Sequence, residues 1–214
     1  MNVEELFDYY AYEDINAECG GESTSKAKRE VMGASGIGRF LGDLGASAES
    51  VTALILGWQF GMCGLSISRY QFIQSMHRLY CKNVSDLAAK LRHLEKEVSS
   101  SGAQFEILFA FAFEFAKESR EHRVITSDIA ASMLELVLQC SPFPHHARGK
   151  GKHPVQFIRF LREHQTRPIN RDQWMCFLDF SHSVSDDLSS YDSAAAWPMI
   201  FDEYVAWLKG APKP

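Results

Sequence analysis

Apolar residues recur at three- and four-residue intervals along almost the whole chain, the pattern of amphipathic helices. Val51, Leu54, Ile55 and Trp58 form one such stripe, with Ser47 placed to cap its helix. Ser68 precedes a second, with Phe72, Met76 and Leu79 inward. Asn83 or Ser85 opens a third carrying Leu87, Leu91, Leu94 and Val98, whose opposite face (Lys90, Arg92, Glu95, Lys96) reads as solvated. Phe105, Phe109, Phe111, Phe113 and Phe115 then follow in quick succession. Their alternation from Phe109 onward resembles a strand. The length of the run, the flanking Glu106, Glu114 and Lys117, and the helical surroundings predict a buried helix instead. Thr126, Ser127 or Asp128 caps a helix with Ile129, Met133, Leu136, Val137 and Cys140 inward.

The segment Ser141–Pro154, rich in Pro, Gly and basic residues, is the clearest loop. A short helix with Phe157, Phe160 and Leu161 ends at Pro168-Ile169-Asn170. Asn170 caps a longer helix in which Trp174, Phe177, Leu178 and Ser181 share a face. Pro198 suits the first turn of a last helix carrying Ile200, Phe201, Tyr204, Val205 and Leu208. Residues 13–31 read as loosely structured and 211–214 as a tail. With no convincing strand and no repeat of fixed period, the expected class is all-α, as one domain or two lobes.

Composition narrows the function. The 214 residues are 46% hydrophobic and 12% aromatic, too apolar for a disordered chain. The stretch Val51–Phe60 is too short to span a membrane. The acidic start lacks the basic region of a secretory signal, and Asn2 excludes N-myristoylation. A net charge of −5 argues against general nucleic-acid binding, and the basic run Arg148–Lys152 reads as an exposed linker. Five cysteines without a CxxC spacing read as reduced thiols.

The common catalytic motifs for phosphate, dinucleotide, serine-nucleophile and zinc-protease chemistry are absent. Cys63, Cys81 and Cys176 lie beside apolar stripes and read as packed thiols. Cys140, His145, His146 and His153 match no zinc-finger spacing. Asp14, Asn16 and Glu18 begin a calcium-loop series, but Cys19 takes its glycine position and Ser25 its glutamate position. No metal or cofactor is expected.

The C-terminal stretch is more informative. Asp172 falls in the first turn after Asn170, and Asp202 in the first turn or so after Pro198, where helix dipoles favour carboxylates. Ala196 is small and precedes Trp197. With both Trp174 and Trp197 inward, the two carboxylates stand on one rim around Ala196. Such a surface suits a Lys or Arg beside an aliphatic residue. Two carboxylates that complement helix dipoles and bind no partner are the plainer alternative.

The runs D-Q-W-M-C-F-L-D-F-S, S-D-D-L-S-S-Y-D and A-W-P-M-I-F-D-E-Y-V closely resemble the C-terminal signature of the defective-in-cullin-neddylation family, or potentiating-neddylation (PONY) domain. Asp172, Trp174, Leu178-Asp179-Phe180, Asp186-Asp187, Tyr191-Asp192, Ala196-Trp197-Pro198, Asp202 and Val205 carry it. Gly36-Ile37, Phe40, Asp43-Leu44, Leu54-Ile55, Trp58, Phe60, Phe72, Met76, Phe111, Phe113 and Phe115-Ala116-Lys117 extend it to about residues 3–209. The resemblance implies a single two-lobed domain over 1–214, with no N-terminal ubiquitin-associated domain and an N-terminal lobe of EF-hand-like helix pairs without calcium ligands. It implies a scaffold-type ligase component with no covalent catalytic residue, which holds a cullin's winged-helix region and the charged neddylation conjugating enzyme together and so promotes modifier transfer. The cullin-associated RING protein is a further partner on this reading, and nucleus and cytoplasm its location. The family's Asp-Ala-Asp cullin patch falls on Asp172, Ala196 and Asp202. Its pocket for the acetylated N-terminal Met of the conjugating enzyme falls on Ile37, Ala53, Leu54, Leu56, Gly57, Phe60, Ile67, Phe115, Met133 and Leu136. The basic segment Ser141–Pro154 departs from the family pattern. The rival readings are a helical adaptor that binds cullin without stimulating conjugation, a cysteine-thioester enzyme and a calcium sensor.

Overall fold

Helices and pairs of two-residue strands make up a computed structural model that describes residues 2–11, 30–117, 119, 121–147, 151–165 and 167–210. Its contacts divide the chain into two compact units, Met1–Glu97 and Val98–Pro214. The first holds α1 (Val3–Ala11), β1 (Val31–Met32), α2 (Ala34–Asp43), α3 (Val51–Phe60), β2 (Ile67–Ser68) and α4 (Arg69–Arg78). Helix α5 (Val84–Ser100) carries the boundary in its last turn. The second holds α6 (Gly102–Phe115), β3 (Val124–Ile125), α7 (Ser127–Val137), α8 (His153–Glu163), β4 (Ile169–Asn170), α9 (Arg171–Ser183) and α10 (Met199–Leu208). The all-α expectation holds.

The strands are a correction to the strand-free reading. β1 pairs antiparallel with β2, and β3 with β4. Each is too short to show alternation in sequence. Their cause lies in the caps, because an N-cap residue must adopt extended backbone. Ser68 and Asn170 are at once strand residues and the N-caps of α4 and α9. Both close a capping box, with Gln71 and Gln173. Asn83 caps α5 through the Asp86 amide at 2.9 Å, and Thr126 caps α7. The cap of α3 is Ser50, not Ser47: Ser50 Oγ accepts from the Ala53 amide at 3.2 Å, while the Ser47 carbonyl accepts from the Ser50 amide. The basic segment is less of a loop than expected, since Pro144–His146 forms a 3-10 turn and α8 already begins at His153. Pro198 is the N-cap of α10 rather than a residue of its first turn. Of the segment expected to be loosely structured, residues 13–29 lie outside the described residues, as does the 211–214 tail, while Val31 belongs to β1.

In the first unit Phe72 packs against Phe7, Phe40 and Phe60, with ring centroids 5.4–5.7 Å apart. α3 buries more than its predicted stripe: of its residues only Thr52 and Trp58 are half-exposed. Gly36 lets α2 approach α1 closely, since a Cβ there would lie 2.5 Å from the Tyr10 carbonyl oxygen and 2.8 Å from Met32 Cγ. Gly36→Ala is therefore expected to cost about 1–3 kcal/mol despite alanine's better helix propensity, read as a lowered urea midpoint. Gly38, with open space around its Cβ position, provides the control: Gly38→Ala should be neutral or stabilising.

In the second unit Phe105, Phe109 and Phe113 line the buried face of α6 with Leu108 and Ala112. Phe111 and Phe115 form a half-buried second stripe, their rings 5.7 Å apart. The strand-like alternation is two helical faces read in one line. Trp174 stacks on Phe109 at 4.7 Å, and its indole N–H donates to the Phe109 carbonyl at 2.8 Å. No helix among the described residues is long and apolar enough to cross a membrane.

Candidate functional site

The capping box fixes the start of α9, and the helical register does the rest. Trp174, two residues beyond Asp172, is 2% exposed and belongs to the core, so Asp172 is turned outward and is exposed. In α10, Ile200, Phe201 and Tyr204 are buried at 1%, 0% and 0%, which leaves Asp202 on the outer face. Ala196 is exposed in the segment leading to α10. Trp197 is half-buried rather than fully inward, edge-on to Phe180 at 5.3 Å and tilted against Phe201 at 5.9 Å. The three predicted patch residues thus lie in one unit, and all face solvent.

The segment carrying Ala196 is held by local polar bonds. Ser185 Oγ donates to Asp187 at 2.7 Å, the Ser189 amide donates to the same carboxylate at 3.0 Å, and Ser190 Oγ donates to the Ser183 carbonyl at 3.0 Å. These bonds hold the Asp187 carboxyl down at about 2. Tyr191 donates its hydroxyl to Asp202, tying this segment to α10. Partial burial, then the bond to Asp202, raises the Tyr191 hydroxyl above its ordinary range, so it stays a donor.

Arg171, which precedes Asp172 in α9, and Arg167, before α9, are each tied to a glutamate. Arg171 Nε lies 3.8 Å from Glu114, which also pairs with Lys117 at 2.6 Å. Arg167 pairs with Glu203 and lies 3.7 Å from Met199 Sδ. Met199 is 61% exposed.

The ten residues of the predicted Met pocket divide between the units. Ile37, Ala53, Leu54, Leu56, Gly57, Phe60 and Ile67 are buried in the first. Phe115, Met133 and Leu136 are half-buried in the second. A shallow cavity of about 200 Å³ in the second unit is lined by Ala116, His122, Val124, Ile125, Thr126, Ile129 and Pro168, and includes none of the ten. Periodicity gave no sign of it, since β3 and Pro168 supply its walls.

Cys81, Cys140, Cys176, His146 and His153 are used in packing. Burial first, then Asp172 and Asp179, raises the Cys176 thiol, and burial likewise raises Cys81. Neither is poised as a nucleophile. Cys140 Sγ lies 3.2 Å from the Val137 carbonyl. His153 bridges the Tyr204 hydroxyl and the Ser185 carbonyl, at 3.1 and 3.2 Å. Ser181 Oγ donates to the Leu178 carbonyl, so it accepts from His146 Nε2 at 2.9 Å, and His146 Nδ1 accepts from Ser141 at 2.8 Å. Gly151 packs on this turn, where a Cβ would lie 2.1 Å from the His145 carbonyl oxygen. No group of three or more His, Cys, Asp or Glu that could hold a metal occurs among the described residues, and the calcium-loop candidate from Asp14 to Ser25 lies outside them.

His146 makes stability depend on pH. Burial, then His145 and His182, lowers its imidazole to about 3, so it is neutral when folded. The unfolded chain takes up that proton near the ordinary value of 6.5. Stability is therefore complete above pH 6.5 and falls by about 1.4 kcal/mol per pH unit below it, down to the folded value. Urea unfolding is expected to show a loss of about 2 kcal/mol between pH 6.5 and pH 5. His146→Gln should flatten that slope.

Residues 86–207 match the family described as Cullin binding. DCN1-like protein 2 of Dictyostelium discoideum is 32% identical over 181 residues, covering 84% of this chain and 64% of that protein. DCN1-like protein 4 of Drosophila melanogaster is 31% identical over 192 residues, covering 88% and 72%. DCN1-like protein 4 of Homo sapiens is 32% identical over 183 residues, covering 84% and 58%. The chain thus spans about three fifths to three quarters of the length of these relatives.

Proposed function

Because the chain belongs to the cullin-binding, DCN1-like family, we propose that it binds a cullin and acts as a scaffold in cullin neddylation. The observation that carries this reading is the outward placement of Asp172, Ala196 and Asp202 in one unit, the two carboxylates on helix starts fixed by buried Trp174 and by Ile200 and Phe201, and Ala196 in the segment before α10. The partner surface is the winged-helix region of a cullin, presenting Lys or Arg beside an aliphatic side chain. A carboxylate at the first turn of a helix is already favoured by the dipole, so little reorganisation is needed to receive a cation.

The second partner is the neddylation conjugating enzyme, through its acetylated N-terminal Met. The apolar residues named for that pocket suit a methionine side chain, whose burial contributes about 1.5–3 kcal/mol. Acetylation removes an ammonium that would otherwise have to be desolvated. Holding thioester and acceptor lysine together lowers the entropic barrier without a catalytic group from this chain. The cullin-associated RING protein is a further partner.

An in vitro transfer assay with purified conjugating enzyme, cullin and modifier tests the scaffold role. The expected result is faster cullin modification with this protein, retained when all cysteines are replaced by Ser or Ala. Binding of cullin without any acceleration would select the adaptor reading. In calorimetry, the acetylated peptide is expected to bind at least about tenfold more tightly than the free-amine form. Equal affinities would remove the pocket assignment.

A further inference from the structure

We infer that Tyr191 is a positioning residue for cullin docking, which holds the Ala196 segment against α10 so that Ala196 and the Asp202 carboxylate meet a partner as one preformed surface; the inference rests on the cullin reading above. Residues 192–196 are all exposed, and the aromatic residues at either end, Tyr191 and Trp197, are half-buried. Both rest on Phe180 of α9, which is 0% exposed, with ring centroids at 6.1 and 5.3 Å. Phe201 stacks on the same ring at 4.8 Å, and Asp202 is the next residue. One buried side chain thus sets both ends of the segment and the start of α10. The backbone bonds of the segment are local: the Tyr191 amide donates to the Leu188 carbonyl at 3.2 Å, Ala195 to Asp192 at 3.3 Å and Trp197 to Ala195 at 2.8 Å. Among the described residues its non-covalent hold on the two helices is therefore made by side chains, and the bond from the Tyr191 hydroxyl to Asp202 is the polar part of it.

That bond occupies Oδ1 of Asp202 and leaves Oδ2 to an incoming cation; no other hydrogen bond or ion pair to Asp202 occurs among the described residues. It also fixes the rotamer of the carboxylate before a partner arrives, so the ordering cost falls on folding and not on binding. The partner must place an aliphatic side chain at Ala196 and a Lys or Arg at Asp202 together. The spacing between those two points depends on the Tyr191 bond, because a methyl group cannot anchor Ala196 itself.

The test is calorimetry of the whole chain against an isolated cullin winged-helix domain, with amide relaxation NMR of the free protein. Tyr191→Phe keeps the ring on Phe180 and removes only the hydroxyl. It is expected to weaken binding about fivefold or more, and to lower the order parameters of 192–196 while leaving those of α9 and α10 unchanged. Tyr10→Phe removes a hydroxyl-to-carboxylate bond of the same kind, to Asp43 at 2.8 Å in the first unit, and should stay within about twofold. In an Asp202→Ala background, which already lacks the acceptor, Tyr191→Phe should change affinity by less than about twofold. Wild-type affinity in Tyr191→Phe, equal losses for the two phenylalanine variants, an undiminished effect in the Asp202→Ala background, or unchanged order parameters across 192–196 would each overturn the inference. If Asp202→Ala leaves cullin affinity unchanged, the cullin reading fails, and the relaxation measurement still decides whether Tyr191 holds the segment.

Discussion

Asp202→Lys is expected to weaken binding of an isolated cullin winged-helix domain by about 100-fold or more, with the fold intact. Reversing the charge removes an attraction and sets two cations against each other, and interfacial pairs of this kind cost about 2–5 kcal/mol when one member is lost. Asp172→Lys should behave alike, because both carboxylates are exposed and neither belongs to the core. The effect on folding should stay near 1 kcal/mol, the scale of a dipole interaction at a helix start plus, at Asp202, the bond from Tyr191. Calorimetry and circular dichroism on the same samples separate the two effects. Raised salt should weaken wild-type binding more than it weakens the residual binding of either variant.

The second large effect belongs to Trp174. Trp174→Ala is expected to cost about 3–5 kcal/mol, because it removes a side chain that is 2% exposed, opens a cavity against Phe109 and Phe113, and loses the indole hydrogen bond to the Phe109 carbonyl. Trp174→Phe keeps an aromatic surface but loses the indole N–H, and should cost less. Because Trp174 sets the register that turns Asp172 outward, the alanine variant should also lose cullin affinity. Denaturant midpoints for the two variants, compared with their affinities, show whether packing and docking fail together.

Local signals in the sequence located most of the helices. Ser68 and Asn170 were identifiable as caps because Gln71 and Gln173 complete capping boxes. Ser50 lacked such a partner, with Ala53 at the third helical position, so Ser47 looked as good. The two-residue strands were invisible because pairing depends on residues far apart in the chain. The buried polar role of His146 was hidden for the same reason, since Ser181 approaches it only in the fold. The outward setting of Asp172 and Asp202 was legible, because one buried aromatic fixes the register of a helix. The pairing of Arg167 with Glu203 was not, because it joins the residues before α9 to α10 and leaves no periodic trace.

The docking role of Asp172, Ala196 and Asp202 is tested most directly by where a cullin touches this chain. Titration of the isotope-labelled protein with an unlabelled cullin winged-helix domain, followed by amide NMR, reads that contact residue by residue. The predicted result is a cluster of shifted amides at the start of α9, across 191–199 and around Asp202, abolished by Asp202→Lys. Shifts confined to other faces, or a cluster that persists unchanged in that variant, would contradict it.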